Sequence, residues 1–248
     1  MKAKARRERL DILLVERGLA DSAQKALAMI LAGEVQVDGS RAAKAGDAIA
    51  ADARIEIFGR AQKFASRGGF KLEGALEDFS VNPAGSVCLD VGSSTGGFTD
   101  CLLQYGAKRT FAVDVNLGQL AWKLQQDPRV TRFECNAREI RPADFPERID
   151  LVVVDVSFIS VGKVLAPVVA TAKSGADFLV LIKPQFELPK KDVGAGGIVT
   201  DVALHEKAIE KVRRAACSAG LECLAVRPSR LAGAEGNQEY FLHARKSS

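Results

Sequence analysis

The chain has 248 residues, 47% hydrophobic and 27% charged, with 35 Lys and Arg against 31 Asp and Glu for a net charge of +4. That length allows one large domain or a small one plus a medium one, and the composition supports a proper core beneath a soluble surface. No apolar run reaches membrane-spanning length, the basic start over residues 1–9 has no apolar stretch behind it, and neither the five cysteines nor the two histidines fall at metal-ligand spacing, which points to a cytoplasmic protein without signal peptide, membrane partner or zinc.

The first sixty residues read as a small α+β domain. Leu10, Leu13 and Leu14 share one helical face, with Asp11 in the first turn. Asp21-Ser22 caps a second helix in which Ala23, Ala26, Leu27 and Ile30 repeat at helical spacing, and Gly33 ends it. Glu34-Val35-Gln36-Val37 then alternates as a strand, turns at Asp38-Gly39, and is expected to meet a second strand over residues 53–57. Residues 59–65 are polar and lack apolar periodicity. The division expected is therefore 1–60, a linker over 61–65, and a larger domain over 66–248.

In that larger domain α and β signals alternate, with strands near 87–91, 110–115, 130–134, 150–156 and 177–183, as in a parallel sheet covered on both faces. Residues 221–227 and 239–244 read as a closing antiparallel pair. The most informative stretch is Asp90-Val91-Gly92-Ser93-Ser94-Thr95-Gly96-Gly97-Phe98-Thr99-Asp100, an apolar strand running through a Gly-rich turn into a helix. Such a turn lets the backbone approach a nucleotide cofactor, and the helix start offers free N–H groups to it. The spacing Gly-x-x-x-Gly-Gly departs from the dinucleotide fingerprint. Asp90 on the strand before it suits a cation better than a pyrophosphate, so the turn favours the sulfonium and ammonium of S-adenosylmethionine over NAD. A purely structural strand–turn–helix is the alternative.

Ligands of a doubly wound sheet bind beyond the carboxyl ends of its strands. Asp114, 22 residues after Gly92, falls where an acidic residue holds ribose hydroxyls, and Asn136 is placed to bond the adenine edge. Either could instead serve a cap or a turn. Asp155 and Lys183 close strongly apolar strands, and a lysine there must be paired or functional.

Two resemblances follow from these residues. Arg9-Leu10-Asp11, Leu14-Val15-Glu16-Arg17-Gly18-Leu19 and Gly33-Glu34-Val35-x-Val37-Asp38-Gly39 resemble the small RNA-binding domain of a ribosomal protein that also occurs in pseudouridine synthases. The resemblance implies phosphate contacts from Arg6, Arg7, Arg9, Arg17, Lys25 and Arg41, against the alternative of a solvated basic surface. Ser66-Arg67-Gly68-Gly69-Phe70-Lys71-Leu72, the Asp90–Asp100 turn, Asp155-Val156-Ser157-Phe158-Ile159-Ser160, Lys183-Pro184-Gln185-Phe186-Glu187 and Gly236-Asn237-Gln238-Glu239-Tyr240 resemble the TlyA family, which joins that domain to an FtsJ-like, Rossmann-like methyltransferase. The resemblance implies an S-adenosylmethionine-dependent enzyme acting on ribose 2′-hydroxyls of ribosomal RNA or ribosomal subunits. It carries a catalytic tetrad onto Lys71, Asp155, Lys183 and Glu239, with Lys183 as general base.

A lysine serves as a base only once it has given up its proton, which a second cation and partial burial favour. The cofactor residues expected are Asp90, Gly92, Ser94, Gly96, Gly97, Phe98, Asp114, Asn136 and Asp155. Further RNA contacts are expected from Arg67, Lys190 and Lys191, the last two on a loop over 188–197 that reads as mobile. Asn116-Leu117 stands where relatives carry Gly-Tyr. Two other readings compete: a membrane-lytic protein, from the haemolysin label of some relatives, and a non-catalytic RNA-binding assembly factor.

Overall fold

Seven hydrogen-bonded strands form the largest element of the computed structural model, which describes residues 7–17, 19–20, 22–42, 44–57, 63–233 and 236–247. The chain divides into two units, Met1–Gln62 and Lys63–Ser248.

In the first unit, β1 (Arg7–Arg9) leads into α1 (Leu10–Glu16), and α2 (Ala23–Leu31) follows. The Ser22 hydroxyl accepts from the Lys25 N–H at 3.2 Å, capping α2 as expected; Asp21 lies outside the described residues. β2 (Val35–Val37) is the centre of a three-stranded antiparallel sheet, between β3 (Ser40–Arg41) and β5 (Ile55–Ile57), while β4 (Ala48–Ala50) pairs with β1. The Asp38-Gly39 turn therefore delivers the chain to β3 rather than straight to the 53–57 strand. Both residues have positive φ, 50° and 80°, as a two-residue turn matched to strand twist requires. Leu10, Leu14, Ala26, Ile30 and Val35 form the core. Leu27, expected inside, is 42% exposed, and Met29 is buried instead, because the buried stripe of α2 runs 26, 29, 30.

In the second unit, α3 (Gly68–Asp78) precedes β6 (Val87–Val91), α4 (Gly97–Gln104), β7 (Arg109–Asp114), α5 (Trp122–Gln125) and β8 (Val130–Glu134). The chain then crosses to β9 (Ile149–Val154), α6 (Gly162–Thr171), β10 (Ala172–Ile182), α7 (Pro184–Glu187), α8 (Val202–Ser218), β11 (Leu221–Pro228) and β12 (Tyr240–Lys246). The sheet order is β11-β12-β10-β9-β6-β7-β8. Five strands are parallel, and β12 is antiparallel to both β10 and β11.

Alternation along the buried strands feeds two cores, one per face. Leu89, Val152, Val154, Phe178 and Val180 meet α6 and α8, whereas Cys88, Leu151, Val153, Leu179 and Leu181 meet α3 and α4. Phe64 joins the second core, fully buried and edge-on to Phe70 at 5.1 Å. Residues 63–65 are thus part of the second unit rather than a free linker. Lys63 pairs with Glu73, and the Ala65 N–H donates to Asp100 at 2.7 Å. One aromatic ring outweighs the polar character of its neighbours, since burying it is worth about 1.5–3 kcal/mol.

From β6 the chain builds outward through β7 and β8, then returns to the opposite side of β6 with β9. The crevice at the carboxyl ends of β6 and β9 is therefore the topological switch point, where open α/β sheets bind ligands.

Candidate active site

β6 and β9 end in register, Val91 beside Val154, and the Asp155 N–H donates to Val91 O at 2.9 Å. Gly92 follows with φ 86°, and a Cβ there would strike the Asp155 carbonyl. Only glycine lets the turn pass between the two strand ends. Gly97, which opens α4, is pressed against the start of α3: a Cβ on it would collide with the Ser66 hydroxyl and reach the Gly69 nitrogen at 2.9 Å. The first turns of both helices consequently border one hollow of about 180 Å³, walled also by Lys71, Ser93, Phe98 and Asp155. A second hollow of about 410 Å³ shares Gly92, Ser94 and Asp155 and extends past Asp114 and Asn136.

Two ion pairs stand at this crevice, each with one member on its wall: Lys71 and Asp155 line the hollows, whereas their partners Glu239 and Lys183 line neither. Lys71 Nζ lies 2.5 Å from Glu239 Oε2, both residues buried. Lys183 Nζ lies 2.5 Å from Asp155 Oδ1 and donates to Ser157 Oγ at 2.8 Å. Lys71 and Asp155 face the same hollow. Lys183 and Asp155 are half-buried, whereas in the buried Lys71–Glu239 pair removing one member strands a buried charge, a cost of about 3–5 kcal/mol.

The expected cofactor residues separate into two sets. Gly92, Ser94, Gly97, Phe98, Asp114, Asn136 and Asp155 line the hollows. Asp114 already accepts from the backbone N–H of Ser94 at 2.9 Å and of Asn116 at 3.0 Å, which fixes its carboxylate beside the second hollow. Asn136 accepts from the Arg138 N–H at 3.1 Å, so its side chain also makes the turn weighed as its alternative. Asp90 and Gly96 line neither hollow. A Cβ on Gly96 would run into Leu124. Asp90 is fully buried beneath the turn, where Oδ2 accepts from the Thr99 hydroxyl at 2.6 Å and Oδ1 meets no donor among the described residues. Burial, reinforced by Asp155 and Asp114 and opposed by the Thr99 hydrogen bond, pushes its carboxyl up to about 7.

Of the basic residues expected at RNA, Arg7 donates to Ala48 O and Arg17 to the carbonyls of Ala51 and Ala53, while Arg9 pairs with Asp11 at 2.7 Å. These guanidinium groups brace their own domain while remaining on an exposed surface. Lys25, Arg67, Lys190 and Lys191 are exposed, and Arg67 borders the first hollow. Arg6 and the side chain of Arg41 lie outside the described residues.

Several residues that hold the crevice were not singled out from sequence. Asn237, 1% exposed, accepts from the Val199 N–H and donates to Gly197 O, both at 2.9 Å. It ties the end of the 188–197 loop, expected to be mobile, and Val199 just after it to the segment carrying Glu239; that loop contains two short 3₁₀ turns. Glu187 accepts from the Ser160 hydroxyl at 2.6 Å and the Val161 N–H at 2.7 Å, joining the segment after Lys183 to the segment after Asp155. Phe158 has φ 65° and is 87% exposed. A non-glycine residue held there is strained, and such strain clusters at functional sites.

Comparison with known proteins adds the following. The family model for the FtsJ-like methyltransferase matches residues 64–246, and that for the S4 domain matches residues 8–55. The chain is 46% identical, over 97% of its length and 91% of the relative's, to the 16S/23S rRNA (cytidine-2′-O)-methyltransferase TlyA of Mycobacterium tuberculosis. It is 41% identical to Hemolysin A of Brachyspira hyodysenteriae, over 95% of this chain and 98% of that one. A solved structure of a hemolysin-named protein from Streptococcus thermophilus superposes with a TM-score of 0.76 at 36% identity, covering 99% of this chain and 90% of the other. The expected fold, a Rossmann-like methyltransferase domain with a small N-terminal RNA-binding-type domain, is borne out.

Proposed function

Because the chain belongs to the FtsJ-like methyltransferase family, in its TlyA branch, we propose that it transfers a methyl group from S-adenosylmethionine to the 2′-hydroxyl of a cytidine in ribosomal RNA. The observation that carries this reading is the pair of ion pairs, Lys71–Glu239 and Lys183–Asp155, set around a glycine-lined crevice at the switch point.

The crevice suits such a cofactor by its own chemistry. Asp114 offers carboxylate oxygens to ribose hydroxyls, and Asn136 offers an amide to the adenine edge. The Ser66 hydroxyl and the first turn of α4, both on the wall of the first hollow, suit a carboxylate. Asp155, which lines both hollows, suits a cation. When bound, S-adenosylmethionine supplies a methyl group already activated on sulfonium. The protein must then align a ribose hydroxyl and remove its proton.

Lys183 is the general base, held toward the crevice by Asp155 and Ser157. Lys71 and Glu239 position the hydroxyl, and their mutual pairing keeps both charges compensated until substrate arrives. The exposed Phe158 ring beside Ser157 offers a face on which an unpaired base stacks. The S4 domain supplies phosphate contacts from Arg7, Arg9, Arg17 and Lys25, and the larger domain adds Arg67, Lys190 and Lys191. The enzyme acts on ribosomal RNA in the cytoplasm.

A lytic role finds no support in the helices: among the described residues none is long and apolar enough to cross a membrane. The test is transfer of labelled methyl from S-adenosylmethionine to unmethylated ribosomal RNA or subunits. Incorporation by the wild type and its loss in Lys183→Arg is expected. No incorporation into either subunit or its RNA overturns the proposal.

A further inference from the structure

On α8, Lys207, Lys211 and Arg214 are spaced i, i+4, i+7 and share one side of the helix. With Lys163 on α6 they border a groove of about 810 Å³ whose other walls include Phe158 and Phe186. The four cations face two carboxylates, Glu187 and Glu210. Lys163 makes no ion pair among the described residues. Lys207 pairs with Asp192 at 2.8 Å and Arg214 with Glu210 at 2.8 Å, but the two cations are 59% and 78% exposed. Pairs that open to water are worth about 0.2–1 kcal/mol, so an incoming phosphate displaces the carboxylates at small cost and gains the release of its counterions. Lys211 differs: it braces the groove wall, donating to Glu187 O at 2.5 Å.

The groove is continuous with the candidate catalytic pair. Lys183 Nζ lies 6.0 Å from the centroid of the Phe186 ring, and that ring lies 5.2 Å from Phe158. Aromatic faces between cations fit unpaired RNA, because bases in a duplex cover one another's faces and cannot stack on a side chain. We propose that this groove carries the single-stranded RNA segment adjoining the target nucleotide, with its phosphates along Lys163, Lys207 and Arg214 and a base against Phe186. The proposal rests on reading the crevice as an RNA methyltransferase site.

The test measures binding of an unmethylated ribosomal-RNA transcript to the full chain as a function of salt. The variant Lys163→Gln/Lys207→Gln/Arg214→Gln should bind about 10-fold or more weakly near 0.1 M salt, with a log–log salt slope shallower by about 2–3, roughly one per lost phosphate contact. Lys163→Gln alone, at an exposed position outside any ion pair among the described residues, should lower the slope by about 1 and serves if the triple variant unfolds. S-adenosylhomocysteine binding by calorimetry should match wild type in each. A Lys163→Gln protein, or a folded triple variant, with the wild-type slope overturns the proposal and leaves the groove to another partner. Failure of the wild type to methylate any ribosomal RNA would instead strike the reading of the crevice.

Discussion

Asp90 is the clearest place where the fold sets a measurable pH dependence. Its carboxyl moves from 3.8 to about 7 because burial removes water from it, with Asp155 and Asp114 adding to the effect. Between those two pH values the unfolded chain has released the proton and the folded chain keeps it. Stability therefore falls as pH rises through this window, by about 1.4 kcal/mol per pH unit. The contribution is fully present below about pH 4 and lost once pH passes about 7, a swing on the order of 4 kcal/mol in all. Asp90→Asn keeps an acceptor for the Thr99 hydroxyl and removes the titration. Its fixed cost is the same at every pH, so the difference between variant and wild type isolates the proton. Between pH 5 and 8 that difference should change by about 3 kcal/mol in favour of Asn. For a unit of this size it corresponds to roughly 6–12 °C in Tm. Thermal unfolding of both proteins, followed by circular dichroism across pH 5 to 8, reads it directly. Parallel Tm curves would refute the burial argument.

Other outcomes follow from the same geometry. Lys183→Ala should lower methyl transfer about 10²–10⁴-fold with little change in RNA or cofactor affinity. Lys183→Arg should fail too, because a guanidinium stays protonated; near-normal turnover would exclude Lys183 as the base. Asp114→Ala should weaken S-adenosylhomocysteine in calorimetry, and NAD binding equally well would contradict the cofactor assignment. Removing residues 1–60 should abolish methylation of ribosomal RNA while cofactor binding persists, whereas full activity in the truncated chain would dismiss the RNA role of the S4 domain.

What could be read in advance was set by local rules. Strand β6 is buried on both faces, so its run Val87-Cys88-Leu89 is continuously apolar, and Gly92 adopts a φ that other residues avoid. The four charged residues were legible through their motifs: Asp155 and Lys183 follow the ends of β9 and β10, Lys71 lies in the first turn of α3, and Glu239 immediately precedes β12. Long-range partners left no such trace. Asn237 meets Val199 from 38 residues away and Glu187 meets Ser160 from 27, and no spacing rule links them. Arg7 and Arg17 read as free cations, yet their acceptors are carbonyls 34–41 residues distant. Phe64 had no periodic partners in a polar stretch, so nothing local marked it as core. Asp90 was correctly placed on the strand, but strand alternation turns it under the glycine turn rather than into the hollows.

The central claim, transfer to a cytidine ribose by the paired charges at the switch point, is tested most directly by the chemical identity of the product. Ribosomal RNA treated with the enzyme and S-adenosylmethionine should be digested to nucleosides and analysed by mass spectrometry, alongside alkaline hydrolysis of the intact strand. The account predicts 2′-O-methylcytidine together with an alkali-resistant linkage at that cytidine, both missing with Lys183→Arg. Methyl found on a base, or a ribose methyl formed equally well by Lys183→Arg, would contradict it.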